Sequence, residues 1–258
     1  MKLKMNKKEI LFSKILAVLL LVFFFSTYTK AQDKYPLWKF KINAGYNLGG
    51  TSPLSFPVEI RKIEKFSPSW IAPHFALEAT RWLNEKWGVA TQIAWDHKGF
   101  TVRDRVKNLH TEIEMKDETF AGNFTGKNTT EIRNVYISLP VLATYRISGK
   151  WTAQSGLYIA YLYNPHFNGH ASGGYIREGS PIGLKVPVDY ASFDFSKEQN
   201  KFDYGILLAG ERVLYSHFAL RGQLSWGLNS LFPSDFTGIT FKMYNIYGSV
   251  GLSYRLNN

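Results

Sequence analysis

Tyr136–Asn164 reads YISLPVLATYRISGKWTAQSGLYIAYLYN, and this stretch decides the fold. Every second residue of its first arm is apolar or aromatic: Ile137, Leu139, Val141, Ala143 and Tyr145. After Ser148-Gly149 the second arm repeats the pattern with Trp151, Ala153, Leu157, Ile159, Tyr161 and Tyr163. Ser138, Thr144, Arg146, Thr152, Gln154 and Gly156 fill the alternate positions. A period of two marks a strand with unlike faces, so the stretch predicts two long strands joined by a minimal turn.

The same period recurs along the chain. Trp38–Gly49, Ala72–Leu83, Trp87–Phe100, Phe202–Val213, Phe218–Leu228 and Lys242–Leu256 alternate in the same way, which with the two arms makes eight strands. The connections alternate too. Asn84-Glu85, Ser148-Gly149 and Tyr215-Ser216 are tight turns, whereas residues 50–68, 104–131, 165–201 and 229–239 form long polar segments rich in Gly, Pro and Asn. An even strand count with alternating short and long connections is the layout of an outer-membrane barrel, its short turns in the periplasm and its long loops outside. The expected fold is therefore all-β: an eight-stranded antiparallel up-and-down transmembrane barrel with a filled polar interior.

Strand length supports this reading. A tilted strand crosses the hydrocarbon core in roughly 9–11 residues, and only a closed sheet leaves no backbone group unpaired there. The apolar face would touch lipid, and the polar face would fill a lumen just wide enough for side chains. Aromatics fit as well. Trp87 and Trp151 follow tight turns, while Tyr46, Trp95, Tyr161, Tyr163 and Trp226 sit near the long segments, at the places of two interfacial girdles. A soluble sandwich or lipocalin-like barrel would alternate too, with its apolar face inward. One pair resists: if Phe75, Leu77 and Ala79 face lipid, Arg81 faces out and Trp82 in, so either Arg81 snorkels or a bulge shifts the register.

Residues 1–31 read as a cleaved secretory signal: a basic start, the apolar run ILAVLLLVFFF, and Thr29 and Ala31 at the small-residue positions before the cut. Residues 32–258 are then the barrel domain. The signal holds six Lys and one Glu, so the formal charge falls from +11 to +6 in the mature chain. That balance, without basic runs interleaved with aromatics, points to no nucleic-acid partner. The chain has no cysteine, which excludes disulfides, thiolate metal sites and a thiol nucleophile.

Three stretches carry a family resemblance: VYISLPVLATYRISGKWTAQSGLYIAYLYN, FDYGILLAGERVLYSHFALRGQLSWGLNSL and MYNIYGSVGLSYRLNN. With Leu139-Pro140 in the fourth strand, Asp203 before Gly205 in the sixth and Gly248/Gly251 in the last, the chain resembles the PorT-like outer-membrane β-barrel family over about Trp38–Leu256. The resemblance implies fold and location, and an accessory role in protein secretion for one namesake. The last strand also resembles the signal read by the barrel assembly machinery, with Ser249, Gly251, Tyr254 and Leu256 in place and Asn257-Asn258 added after it.

Glu78, Gln92, Asp96, Lys98, Asn134, Arg146, Gln154, Glu211 and Arg221 fall on the lumen face. Buried charges there must pair. Their expected role is a structural ion-pair core; a narrow channel or small-ligand pore lined by the same groups is the alternative. A lipid-directed enzyme is the weakest reading. His97 beside Asp96 faces lipid, no Gly-x-Ser-x-Gly elbow is present, and His166 and His170 lie in a Pro/Gly segment that reads as loop. No catalytic residue, metal or cofactor is expected. Phe167, Tyr175, Tyr190, Phe193 and Phe195 make the segment 165–201 either a partner surface or a lid. The expected protein is an exported component of the bacterial outer membrane, reached through the general secretory pathway. Its partners would be outer-membrane lipid, the assembly machinery during insertion, and secretion or envelope proteins.

Overall fold

The computed structural model describes residues 38–115, 118–178 and 182–257. The signal segment 1–31 lies outside them. Eleven strands follow in chain order: β1 Trp38–Ser52, β2 Ile60–Pro68, β3 Pro73–Trp82, β4 Trp87–Met115, β5 Glu118–Arg146, β6 Trp151–Asn164, β7 Phe167–Glu178, β8 Lys185–Asp194, β9 Phe202–Tyr215, β10 Phe218–Gly227 and β11 Tyr244–Arg255. All strand pairings among the described residues are antiparallel, in the order β2-β4-β3-β1-β11-β10-β9-β6-β5-β7-β8. β4 also pairs β5 from Trp87↔Tyr145 to Met115↔Glu118, and Glu114 of β4 meets Ser192 of β8. Through that last contact ten strands form a ring, with β2 added on β4.

The expectation of an eight-stranded barrel is therefore corrected: among the described residues the sheet has eleven strands and a ring of ten. Each of the eight stretches read from the sequence lies in a strand, but β2, β7 and β8 arise in segments read as loops. β4 and β5 each run for 29 residues, far past the expected loop boundary at Asp104. The reason is solvation. Beyond the lipid, the outward face of a strand is wet, so Arg103, Arg105 and Lys127 replace the apolar alternation that identifies a wall strand. Inward residues keep the period: Val102, Asp104 and Val106 on β4 pair with β5 in continuous register, while β2 shifts register beside them at Ile60/Lys62 and Ile63/Lys65. A bulge follows at Val106/Leu109, where Asn108 has φ 55° and its N–H is held by Thr125 Oγ1 at 3.0 Å; Asn tolerates this left-handed conformation better than most residues.

The lower wall exposes the apolar face found in the sequence. Leu157 is 65% exposed and Ile93 62%, whereas Gln92 and Glu78, next in alternation, are 1% and 2% exposed. Phe40, Ile42, Leu139, Ile206, Leu220 and Leu252 are exposed around the same wall. A soluble protein rarely exposes so large a contiguous apolar surface, so the inward-facing sandwich is excluded. β3 keeps an unshifted register against both β1 and β4 through Arg81. No bulge is present there, and Arg81 lies over the Trp38 ring at 5.9 Å.

Above the wall the extended halves of β4 and β5, with β2, β7 and β8, build a head with its own core. Val106, Ile113, Phe124, Ala171, Ile176, Val188 and Ala191 are buried together in it. A second cluster closes the mouth between wall and head: Phe100, Ile132, Phe167, Phe193, Phe195, Leu231, Phe232, Met243 and Tyr247. Phe167, Phe193 and Phe195 of the expected loop thus act as a lid, while Tyr190 is exposed and stacks on His170 at 5.1 Å between ring centres.

Candidate functional site

The lumen is filled in layers. Nearest the tight turns, Lys41 of β1 donates to both carboxylate oxygens of Glu211 on β9 at 2.9 and 2.8 Å and lies 3.6 Å from Glu78 of β3. Arg221 of β10 lies 3.1 Å from Glu78 and 3.7 Å from Glu211. Two cations thus face two carboxylates. Amides and a hydroxyl complete the layer: Gln92 and Gln154 donate to Glu78 at 2.8 and 3.0 Å, and Thr80 donates at 2.9 Å. The arrangement follows from alternation, because each of these side chains is one position from a lipid-facing neighbour.

A second layer centres on Asp96. Its carboxylate contacts His74 Nδ1 at 2.7 Å and accepts from Ser138 Oγ at 2.8 Å and from Asn47 Nδ2 at 3.3 Å. In this layer His74 and Ser138 each contact Asp96 rather than one another, so the two are not arranged as a nucleophile–base couple. A third layer is a cage around Lys98. Its ammonium lies 5.1, 5.4 and 5.5 Å from the ring centres of Tyr136, Tyr158 and Tyr247, within cation–π range, and 3.9 Å from Asp203. Asp203 accepts from Tyr158 Oη at 3.0 Å and Asn245 Nδ2 at 3.1 Å. Asn134, at the upper end, donates to Gln199 at 2.5 Å.

Of the six residues expected to cluster, Glu78, Gln92, Glu211 and Arg221 meet in one layer and Asp96 joins the next. Arg146 lies apart, half-buried at the turn end with its guanidinium 4.1 Å from the Trp82 ring centre. Sequence reasoning left out Lys41, His74 and Asn47. Their signal was the same alternation, since each sits one place from Ile42, Phe75 or Leu48. The four residues of the last-strand pattern divide by face: Ser249 is buried on the lumen side, Tyr254 and Leu256 point outward, and Gly251 lies against β1. A Cβ on Gly251 would stand 2.1 Å from Ala44 O and 2.4 Å from Gly45 Cα, so the strand seam itself requires glycine there.

A ring of strands, apolar outside where it is widest in contact with its surroundings and ion-paired within, is a membrane-spanning β-barrel. The family model described as outer membrane protein beta-barrel domain matches residues 30–233, and the chain belongs to that family. It is a barrel protein of the bacterial outer membrane. No curated protein matches the chain. Two solved structures of Ail, the attachment invasion locus protein of Yersinia pestis, one in complex with the heparin analogue sucrose octasulfate, are similar at 11% identity, covering 85% of this chain and 97% of Ail with a TM-score of 0.36. A likeness at that level fixes neither fold nor role.

Proposed function

We propose that this protein is a non-conducting outer-membrane barrel that works by interaction, as an accessory of protein secretion or envelope assembly. The observation that carries the reading is the contrast between the two ends of β4 and β5. Below, the lumen is closed by two ion-paired layers, a tyrosine-caged lysine and an aromatic plug. Above, the same strands continue into a head that has a core of its own and a wet outer face. A filled barrel offers solutes no path, so what remains accessible is surface. Residues in loops and heads held by a rigid scaffold are where barrel proteins carry recognition. The resemblance to PorT-like sequences favours a secretion or assembly partner over a host surface.

The test is cross-linking in intact outer membrane with a photoreactive residue at Tyr190 on the head or Tyr215 at the turn end, followed by mass spectrometry. Reproducible secretion or envelope components attached to one site support the reading. Recovery of the barrel alone, together with discrete conductance steps in planar bilayers, overturns it.

A further inference from the structure

The head holds a partly open cavity of about 160 Å³ between β1, β2, β4, β5 and the lid. Its walls include eight phenylalanines, among them Phe66, Phe100, Phe124 and Phe241, with Leu109 and Met243. Among the described residues, Asp104 is the one charged residue lining it. The Asp104 side chain belongs to a residue only 6% exposed, and its Oδ1 has no hydrogen-bond partner among the described residues. Other polar lining groups are occupied: Thr51 donates to Asn245 at 2.7 Å and Thr130 accepts from Asn128 at 3.2 Å. A buried carboxylate oxygen facing an apolar space without a cation is costly, and it is the feature a ligand donor would resolve.

We propose that this cavity binds a small apolar molecule bearing one ammonium group, with the ammonium on Asp104 and the apolar body among the phenylalanines. Size supports the class: a cavity of about 150 Å³ lined by apolar side chains takes up benzene, so one aromatic ring fits here. Charge supports it too, because aromatic faces attract a cation and a carboxylate completes its shell. Asp104 lies on β4 beyond the lipid-facing stretch that ends near Trp95, in the wet head. Burial pushes its carboxyl up to about 6 despite help from Asn128, an unfavourable state that an ammonium offsets.

The test uses the full barrel in lipid nanodiscs, with empty nanodiscs as reference, and benzylamine, benzyl alcohol and toluene as probes in calorimetric titration. Saturable benzylamine binding that falls at least tenfold in Asp104→Asn, with benzyl alcohol and toluene changed less, is expected. A second variant fills the space: Gly50 lines the cavity, and the atoms nearest to the Cβ of Gly50→Leu are in the Phe66 and Phe100 rings at ordinary contact of 3.4–3.7 Å, so the longer side chain competes for the same space. It should abolish binding of all three probes while the heat-modifiable gel mobility stays unchanged. Binding no greater than to empty nanodiscs, equal benzylamine affinity in Asp104→Asn, or unaltered binding in Gly50→Leu overturns the proposal.

Discussion

The guanidinium of Arg221 on β10 stands 3.1 Å from the Glu78 carboxylate on β3, although β11 and β1 separate their strands in the wall. Neither Nε nor either terminal nitrogen of Arg221 makes a directed hydrogen bond among the described residues, so its contribution is charge. Removing it leaves Lys41 alone between two buried carboxylates. Arg221→Met should lose about 3–5 kcal/mol of stability, as buried pairs do when one partner is removed. Adding Glu211→Gln should return more than half of that. Urea titration in lipid vesicles, read by the heat-modifiable gel shift, checks both; a single variant within about 1 kcal/mol of the parent contradicts the assignment.

At the β1–β11 seam, Gly45 and Gly251 are register partners. Gly251→Val must displace backbone, since its Cβ would meet Ala44 O at 2.1 Å, whereas Gly248→Ala meets nothing nearer than 3.7 Å. The first variant should fail to yield the compact folded band and the second should yield it at parental level. Equal folding of both would mean that Gly251 matters only as part of a recognition pattern.

Asp104 gives the head a pH dependence of defined sign. Its native carboxyl is raised from 3.8 to about 6 by burial, so the native state holds the proton more tightly than the unfolded chain. Stability is greatest below about pH 4, falls between about 4 and 6, and is flat above that, with an amplitude of about 3 kcal/mol. Asp104→Asn should remove this slope and slow exchange of head amides at pH 7.5. Hydrogen exchange of β2, β7 and β8 at pH 5 and 7.5 measures it, and an unchanged slope in the variant refutes the attribution.

Asn84 closes the turn between β3 and β4 by accepting from the N–H groups of Lys86 and Trp87 at 2.9 and 2.8 Å. Asn84→Ala should cost about 0.5–2 kcal/mol, the range for losing a side-chain cap on backbone donors. Refolding yield into vesicles reports it, and Asn84→Asp should behave as the parent.

The wall strands were legible because lipid demands an apolar residue at every second outward position, as from Ile137 to Tyr145. Strands β2, β7 and β8 escape that demand. Ile60–Pro68 carries Arg61, Lys62 and Lys65 among its exposed residues and reads as a loop, yet its backbone pairs with β4. The lumen was legible by the same rule that exposed the wall: Glu78, Gln92, Glu211 and Arg221 lie opposite lipid-facing neighbours. Arg146 obeyed the alternation but not the prediction, because at the open turn end Trp82 offers its ring face. The Asp104 cavity was out of reach, since it needs Phe66, Phe124 and Phe241 from separate segments brought together by strands the sequence did not reveal.

One ladder of strand pairing, from Trp87↔Tyr145 to Met115↔Glu118, passes from the membrane wall to the far end of the head with two interruptions, one opposite Leu139-Pro140 and one at Val106/Leu109. A pull on the head along that axis tensions both strands at once and reaches the wall through their pairings with β3 and β6, which are loaded in shear, so many bonds share the force before any one yields. Tension applied to the head is therefore handed to the membrane wall rather than dissipated in unravelling the head.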